Sequence, residues 1–282
     1  MDILYGSAIL FSVAQSASAK FYNRKSDNAA FFNAFKALAS FVVALFFLKS
    51  GFVLHLPTFL YGTAYGLLLC LSMYSGFRAL CLGPMALTGM IVSFSVMLPL
   101  LYGVVFQKEP LSSLKLAGLA LFVVALILTS LGKPKETSKK GNSKWALFVL
   151  LTFISNGGCS ILQKMHQTAY SEEYCGAFMF YSGLTCCVVF IGRSLMQMKP
   201  QEYLHAPGKL SAAVAGLSGG ASNLCTLFLA GSENASVMYP VISAGTILVS
   251  LVCGRVLFGE KIRPLQIPAF LCGICAIVLL KL

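Results

Sequence analysis

The sequence predicts an all-α integral membrane protein with ten transmembrane helices, arranged as two inverted five-helix repeats. Three observations lead to this fold class: the composition, ten long apolar runs, and a likeness between the two halves of the chain. Of 282 residues, 57% are hydrophobic and 11% are charged, whereas soluble domains carry about 25% charged residues. A soluble core of this size could not bury so much apolar surface, but a bilayer can accommodate it.

Each apolar run has about the length that a helix needs to cross the hydrocarbon, roughly 20 residues. Continuous apolar runs favour helices over membrane strands, in which apolar and polar residues alternate. The runs cover residues 3–20, 31–48, 57–81, 84–106, 111–131, 145–163, 174–192, 207–230, 235–257 and 264–281. The longest polar stretch, 133–144, predicts a hydrophilic linker between a first half over 1–132 and a second half over 145–282.

The two halves share features in the same order. Each half has a lysine at the end of its first run and two glycines four residues apart in its third run. Each also has a glycine near the end of its fourth run and a glutamate after that run. The matching positions are Lys20 and Lys164, Gly62 and Gly216, Gly66 and Gly220, Gly103 and Gly254, and Glu109 and Glu260. Because five is odd, duplicated five-helix halves have opposite orientations, and such inverted repeats are common among secondary transporters.

The basic residues predict how the chain is oriented. The net charge is +12, and most of the 21 lysines and arginines fall in the loops that join runs 1–2, 3–4, 5–6, 7–8 and 9–10. The positive-inside rule therefore predicts a cytoplasmic linker and both termini outside, in a multi-pass cell (inner or plasma) membrane protein. The start of the chain lacks a basic region, so we expect the first run to be a retained span rather than a cleaved signal.

Charge and cysteine patterns also limit the partners. The basic residues lie between apolar runs and form no stripe with interleaved aromatics, so we expect no nucleic-acid partner. Cys272 and Cys275 form a CxxC inside an apolar run without a second Cys/His pair, so we expect no metal and no cofactor. The expected partners are the lipid bilayer and a small solute, with the chain a monomer or a homodimer.

The chain resembles the drug/metabolite transporter superfamily in its EamA-like, ten-helix form, over nearly its whole length. Besides the five-plus-five runs, the resemblance rests on Glu109, Glu260, Lys20, Lys36 inside run 2, and Arg78-Ala79-Leu80 closing run 3. The usual Gly-Glu-Arg/Lys motif is complete only as Gly259-Glu260-Lys261, and family members often have both termini in the cytoplasm. The resemblance implies movement of small metabolites, often outward, without fixing the substrate.

Polar groups inside the apolar runs are the candidates for solute binding, because burying them in hydrocarbon is costly. Lys36 is the one charge deep in a run, and its ammonium could hold a carboxylate or phosphate or could snorkel to the headgroups. No Asp or Glu lies deep in a run, so anionic or zwitterionic solutes such as amino acids are favoured over cationic drugs. The other candidates are amides, hydroxyls and a rim arginine: Gln15, Tyr74, Arg78, Asn156, Gln163, Asn223, Tyr239 and Ser243.

These candidates have structural interpretations as well. Amides and small residues hold helices together in lipid, and Arg78 could anchor its helix at the headgroups. We expect Glu109 and Glu260 to be structural, each complementing the dipole of the helix that follows it in sequence.

The predicted function is that of a secondary carrier of small polar metabolites, with export favoured, working by alternating access between the two halves. We do not expect an enzyme. One alternative is a non-transporting scaffold or receptor subunit. Another is an intramembrane serine hydrolase, because Gly216-Leu217-Ser218-Gly219-Gly220 matches the GxSxG pattern of a nucleophile elbow. The histidines that such a serine would need, His55, His166 and His205, lie near the ends of runs.

Overall fold

The computed structural model describes residues 2–23, 26, 28–48, 55–82, 88, 92, 94–110, 112–131, 143–170, 173–197, 207–259, 264 and 266–281. Within these ranges the chain forms ten α-helices and one 3-10 turn, and no β-strand occurs in them. The helices are α1 (Asp2–Asn23), α2 (Ala29–Phe46), α3 (Leu56–Leu82), α4 (Met97–Phe106), α5 (Ser113–Leu131), α6 (Ser143–Tyr170), α7 (Cys175–Gln197), α8 (Lys209–Ser232), α9 (Ala235–Phe258) and α10 (Gln266–Lys281). The 3-10 turn, Phe94–Val96, leads directly into α4.

The all-helical, multi-pass class predicted from composition is confirmed. Six of the described helices, α2, α3 and α6 to α9, are long and apolar enough to cross a membrane. Three further apolar segments are shorter: Phe94–Phe106, Ser113–Leu128 and Ile267–Lys281. The helices coincide with the predicted runs in order and position. That all ten cross the membrane, and that the halves are inverted repeats, remain predictions.

One predicted run differs from the structure, and another is described only in part. In the fourth run the structure describes a 3-10 turn followed by the ten residues of α4, and most of 84–93 lies outside the described residues. The sixth run was predicted to end at residue 163, but α6 continues through Lys164 to Tyr170. Polar side chains in this extension are buried and hydrogen-bonded within the protein, which explains why a hydropathy pattern ends too early there. Most of the linker, 133–142, lies outside the described residues, and Ser143 and Lys144 begin α6.

The chain divides into two compact units that do not follow the sequence halves. The first unit comprises Met1–Cys70 and Met165–Gly231, and the second comprises Leu71–Lys164 and Ser232–Leu282. The first therefore holds α1, α2, the start of α3, the end of α6, α7 and α8. The second holds the end of α3, α4, α5, most of α6, α9 and α10. Each unit thus combines helices from both halves of the sequence.

In the first unit, the predicted glycine pairs lie at close helix contacts. A Cβ at Gly66 of α3 would lie 2.7 Å from the Thr185 side chain of α7, and one at Gly62 would lie 2.9 Å from the carbonyl oxygen of Phe178. In α8, a Cβ at Gly216 would overlap the carbonyl of Lys36 in α2, and one at Gly220 would lie 3.0 Å from the Ser40 hydroxyl. Small residues let helix backbones approach closely in this way. The α3 pair therefore packs on α7, and the α8 pair packs on α2.

The second unit has an apolar core built from α5, α9 and α10. Phe122 and Leu126 of α5 pack with Ala244 of α9 and Ala276 of α10, and all four side chains are at most 2% exposed. Helices α5 and α10 also pack along their length, and α4 packs on α9. These contacts hold the chain segment after α4, which carries Glu109, beside the start of α9.

Candidate functional site

Lys36, the central candidate, lies in the first unit on α2. Asn28 caps this helix, its side chain accepting the Phe31 N–H at 3.0 Å, so α2 begins earlier than the predicted run. Lys36 is therefore the eighth helical residue, about 10 Å from the helix start at 1.5 Å per residue. Its side chain is half-buried and has no hydrogen-bond or ion-pair partner among the described residues. The contact of Gly216 with its carbonyl fixes the backbone at this position.

The other first-unit candidates lie where α1 meets α8. Gln15 contacts α8 at Gly219, where a Cβ would lie 2.5 Å from the Gln15 amide oxygen. Nearby, the Ser12 and Ser222 hydroxyls are 2.7 Å apart, and Ser222 also donates to the Ala8 carbonyl at 3.0 Å. The serines therefore hold α1 to α8, as the packing interpretation expected.

One turn of α8 contacts both helices that carry these candidates. Gly216 and Gly219 are three residues apart, and they contact α2 at Lys36 and α1 at Gln15. The third candidate of this unit, Asn223, lies one turn further along α8 and is half-buried. Gln15 and Lys36 thus lie on helices that both pack against the same turn of α8, which makes this part of the first unit the best-defined candidate site.

Three other candidates make helix-to-helix or local contacts in the second unit. The Asn156 amide donates to the Ser95 hydroxyl at 2.8 Å and so joins α6 to the 3-10 turn. The buried Tyr239 donates its hydroxyl proton to the Ser160 carbonyl at 2.7 Å and joins α9 to α6. Gln163 is 4% exposed, so its amide lies inside the protein. These contacts fix helices within the unit and involve the same groups that were proposed to bind solute.

The remaining second-unit candidates are Tyr74, Arg78 and Ser243. The Arg78 Nε donates to the Tyr74 hydroxyl at 3.3 Å, and the guanidinium carbon lies 5.8 Å from the centre of the same ring. The two side chains therefore share a helix face, as their spacing of one turn predicted. Arg78 is exposed, and Ser243 is half-buried. The predicted set thus falls into a first-unit group, Gln15, Lys36 and Asn223, and a second-unit group of the other six.

Glu109 is structural, but the helix it stabilises is not the expected one. Its two carboxylate oxygens accept the backbone N–H groups of Ala235 and Ser236 at 2.7 and 2.8 Å. These are the first residues of α9, whose N-cap Asn234 makes no side-chain capping bond. The expectation that Glu109 complements the following helix, α5, was therefore wrong, because the chain reverses after α4 and aims the side chain at α9. Glu260 lies outside the described residues.

Backbone geometry explains how Glu109 reaches α9. Lys108 adopts a left-handed conformation (φ 53°), and the Glu109 N–H returns to the Gly103 carbonyl at 3.1 Å. A Cβ at Gly103 would lie 2.6 Å from a Glu109 carboxylate oxygen, so only glycine leaves room for the carboxylate. Gly259, the aligned position of Lys108, is also left-handed (φ 66°), and its N–H is bonded to the Gly254 carbonyl.

Sequence reasoning missed two buried polar groups. Lys164, 6% exposed, was treated as a loop-side residue, but its ammonium donates to the Glu233 carbonyl just before α9. His166, 0% exposed, belongs to a hydrogen-bonded series in the first unit. Neither had a signal in the hydropathy pattern, although α6 carries several polar residues near its end.

Ser218, the residue of the hydrolase alternative, bonds within its own helix. Its hydroxyl donates to the Val214 carbonyl one turn earlier at 2.5 Å, and its side chain is 7% exposed. A nucleophilic serine needs a hydrogen-bonded base, and none is bonded to Ser218 in the described part of the chain. The GxSxG match is therefore accounted for by the close packing of Gly216 and Gly220 on α2.

Comparisons with known proteins bear on the fold. No protein-family model matches the chain, and no curated protein matches it. Among solved structures, 28 chains match. One of them, a crystal structure of a protein without a stated function, aligns with a TM-score of 0.77 and 13% sequence identity, over 98% of this chain and 94% of that one. At such low identity the likeness shows a shared fold and carries no function.

Proposed function

We propose that the chain is a secondary carrier of small polar metabolites, with the ten-helix, two-repeat architecture of the EamA-like drug/metabolite transporters. Anionic or zwitterionic solutes such as amino acids are the favoured substrates, and export is the favoured direction. Transport would proceed by alternating access. The supporting facts are the multi-pass helical fold, its likeness to a solved structure over nearly the whole chain, and the pattern of helix contacts.

The observation that carries the proposal is a pair of equivalent glycine contacts. If helix n of the first half corresponds to helix n+5 of the second, then α3 corresponds to α8 and α7 to α2. The α3 pair, Gly62 and Gly66, packs on α7, and the α8 pair, Gly216 and Gly220, packs on α2. The same device thus makes two equivalent contacts, α3–α7 and α8–α2. In addition, the packed pairs α2–α7, α4–α9 and α5–α10 each join a helix to its counterpart. Duplicated halves of five helices favour an inverted-repeat transporter over a scaffold.

Lys36 supports the choice of solute. A half-buried ammonium inside a span, without a hydrogen-bond or ion-pair partner in the part of the chain that the structure describes, favours water or an anion beside it. Gln15, on the next helix against the same turn of α8, could hydrogen-bond the rest of a small solute. A cationic solute would find no carboxylate in the group of Gln15, Lys36 and Asn223. In the second unit, the buried carboxylate of Glu109 already accepts two backbone N–H groups of α9.

Flux into liposomes that contain only the purified chain tests the proposal. The probes are radiolabelled amino acids and dicarboxylates, chosen after a thermal-shift screen, since a ligand of the folded state raises its stability. We expect saturable flux that falls about tenfold or more in Lys36→Ala, because a hydrogen bond to a charged group contributes about 1.5–3 kcal/mol. The matched control is Lys144→Ala, which removes the same charge from an exposed position at the start of α6.

The outcomes separate the parts of the proposal. Flux that is equal in Lys36→Ala and Lys144→Ala would keep the carrier and reject the site. Flux of lipophilic cations alone would reject the solute class. Wild-type liposomes that bind and move none of these probes would favour the scaffold or receptor alternative.

A further inference from the structure

Five polar side chains of the first unit form a continuous hydrogen-bonded line, called here the histidine chain. His55 Nδ1 lies 2.8 Å from the Thr58 hydroxyl, which lies 3.0 Å from His166 Nε2. His166 Nδ1 lies 3.1 Å from the Gln167 amide nitrogen, and the Cys175 thiol donates to the Gln167 amide oxygen at 3.3 Å. The histidine chain links the start of α3 to α6 and α7 through side-chain hydrogen bonds.

Burial makes each group of the histidine chain depend on its neighbours. Thr58 and His166 are 0% exposed, Gln167 is 1% exposed and Cys175 is 3% exposed, whereas His55 is half-buried at the open end. Buried donors and acceptors that cannot reach water must be satisfied within the protein. The direction of one hydrogen bond in the chain therefore determines the direction of the next.

The arrangement in the structure has one consistent direction. An amide nitrogen can only donate, so His166 Nδ1 accepts from Gln167 and the proton of neutral His166 is on Nε2. That proton is donated to the Thr58 oxygen, and Thr58 then donates its hydroxyl proton to His55 Nδ1. In this state His55 is an acceptor, and therefore carries no proton on Nδ1.

The opposite direction satisfies the same groups when His55 gains a proton. His55 then donates from Nδ1 to Thr58, Thr58 donates to His166 Nε2, and His166 holds its proton on Nδ1. The Gln167 amide, turned by half a rotation, accepts that proton with its oxygen, and an amide keeps its shape on such a turn. The space beside it belongs to Gly231, where a Cβ would lie 3.2 Å from the amide oxygen.

Proton counts balance between the two states. One proton from water binds at Nδ1 of the half-buried His55. The Thr58 hydroxyl keeps its proton and turns it from His55 toward His166 Nε2. His166 keeps one proton, which moves from Nε2 to Nδ1 once the turned Gln167 oxygen faces that nitrogen. One proton is gained in all, and Thr58 and His166 hold one each before and after.

We propose that His55 is a proton-binding site, and that its protonation reverses the direction of the histidine chain and changes the tautomer of the buried His166. This inference does not depend on transport. Its consequence is a contact between α3, α6 and α7 that changes between about pH 8 and about pH 5.

The groups that face the two imidazoles allow this behaviour. His55 stacks on Tyr174 with ring centres 4.2 Å apart and meets the Tyr170 edge at 4.9 Å, and aromatic faces stabilise a cation. Tyr61 of α3 and Tyr170 of α6 lie 5.8 and 5.3 Å from His166. The Glu173 carboxylate in the turn before α7 raises the pKa of Tyr174, so this phenol keeps its proton throughout the range. Cys175 of α7 is the thiol at the far end, and from α8 the neighbour is Gly231, which does not titrate.

Nitrogen-15 NMR of the full-length purified chain, labelled at histidine and reconstituted in nanodiscs, tests the proposal. The chain has three histidines, so His55→Gln, His166→Gln and His205→Gln assign every signal. We expect His166 to be neutral with its proton on Nε2 at about pH 8, and neutral with its proton on Nδ1 at about pH 5. The change should share its midpoint with the titration of His55.

Hydroxyl variants test the coupling. In Thr58→Val we expect His55 to titrate while His166 keeps one tautomer, and Thr58→Ser should restore the coupling. The matched control is Thr226→Val, which removes a hydroxyl that bonds only within α8, to the Ser222 carbonyl. The proposal is overturned if wild-type His166 keeps one tautomer from pH 8 to 5, or becomes an imidazolium with a midpoint of its own. The wild-type spectra decide this even if Thr58→Val does not fold.

Discussion

Replacing Glu109 by glutamine should destabilise the protein as strongly as a core mutation, although it changes only one non-hydrogen atom of one side chain. The carboxylate accepts two N–H groups at the start of α9, where Asn234 provides no side-chain cap. A glutamine has one acceptor oxygen, so its amide nitrogen faces one of these donors. Losing the charged cap costs about 1–2 kcal/mol, and a buried N–H without an acceptor costs about 1–3 kcal/mol more.

The expected loss in Glu109→Gln is therefore about 3 kcal/mol, or about 6–12 °C in melting temperature at roughly 2–4 °C per kcal/mol. A thiol-reactive dye measures it, because cysteines such as Cys70 and Cys159 are buried in the fold and react on unfolding. The control, Glu173→Gln, removes a carboxylate from an exposed position and should change stability by less than about 0.5 kcal/mol. Equal melting temperatures for the two variants would refute the capping role of Glu109.

Gly103→Ala provides a second test of the same contact, because its effect on stability should be a loss in the wild type and a gain in Glu109→Ala. In the wild type, a Cβ at residue 103 would meet the Glu109 carboxylate at 2.6–2.9 Å, so Gly103→Ala should cost about 1–3 kcal/mol. In a Glu109→Ala background that obstacle is gone, and alanine in the helix should gain about 0.5–1 kcal/mol over glycine. A cost that is the same in both backgrounds would show that Gly103 is needed for another reason.

Three further predictions concern a close helix contact, the Ser218 hydroxyl and the orientation of the chain. Gly216→Ala should lose about 1–3 kcal/mol in the melting assay because its Cβ would meet the Lys36 carbonyl, whereas Gly192→Ala, with nothing within 4 Å, should be neutral or gain up to about 1 kcal/mol. Equal effects of these two substitutions would contradict the close packing of α8 on α2. Ser218→Ala should keep any transport activity, because its hydroxyl bonds only to its own helix, and a complete loss of function would revive the hydrolase alternative. A fluorescent protein that matures only in the cytoplasm should stay dark when fused after Leu282, and bright cells would reverse the charge-based orientation.

Hydropathy was sufficient to predict where the helices lie, because crossing a bilayer requires long apolar runs whatever their partners. The predicted run that ends at residue 163 was too short, because hydropathy treats every polar residue as a residue outside the membrane. The last turns of α6 bury Lys164, His166 and Gln167 against protein rather than lipid, so their polarity did not mark the end of the helix. A one-dimensional pattern cannot distinguish a polar residue in a loop from one that finds its partners inside the fold.

Partners distant in sequence were beyond prediction for a related reason. Glu109 and the start of α9 are separated by 126 positions, and local rules assign a carboxylate to the nearest helix start. Thr58 and His166 are separated by 108 positions, and each alone resembles an ordinary residue near a run end. The glycine pairs were found because spacing within one helix reveals a close contact, but the partner helices, α7 and α2, came from the fold.

Two measurements distinguish a solute-binding Lys36 from one that snorkels to the headgroups: the melting temperature without solute, which should rise when the charge is removed, and the solute flux, which should fall. Its ammonium is half-buried about 10 Å along α2 and has no partner in the described part of the chain, while its backbone is held by Gly216. Leaving a charge in that state costs free energy in the empty protein, which a site for an anion recovers only when solute is bound. Lys36→Met keeps most of the length of the side chain and removes the charge, so it should raise the melting temperature without solute. It should also lower flux about tenfold or more and remove the stabilisation by solute. A snorkelling lysine, solvated by headgroups, would leave flux unchanged on the same substitution, and that result would remove Lys36 from the site.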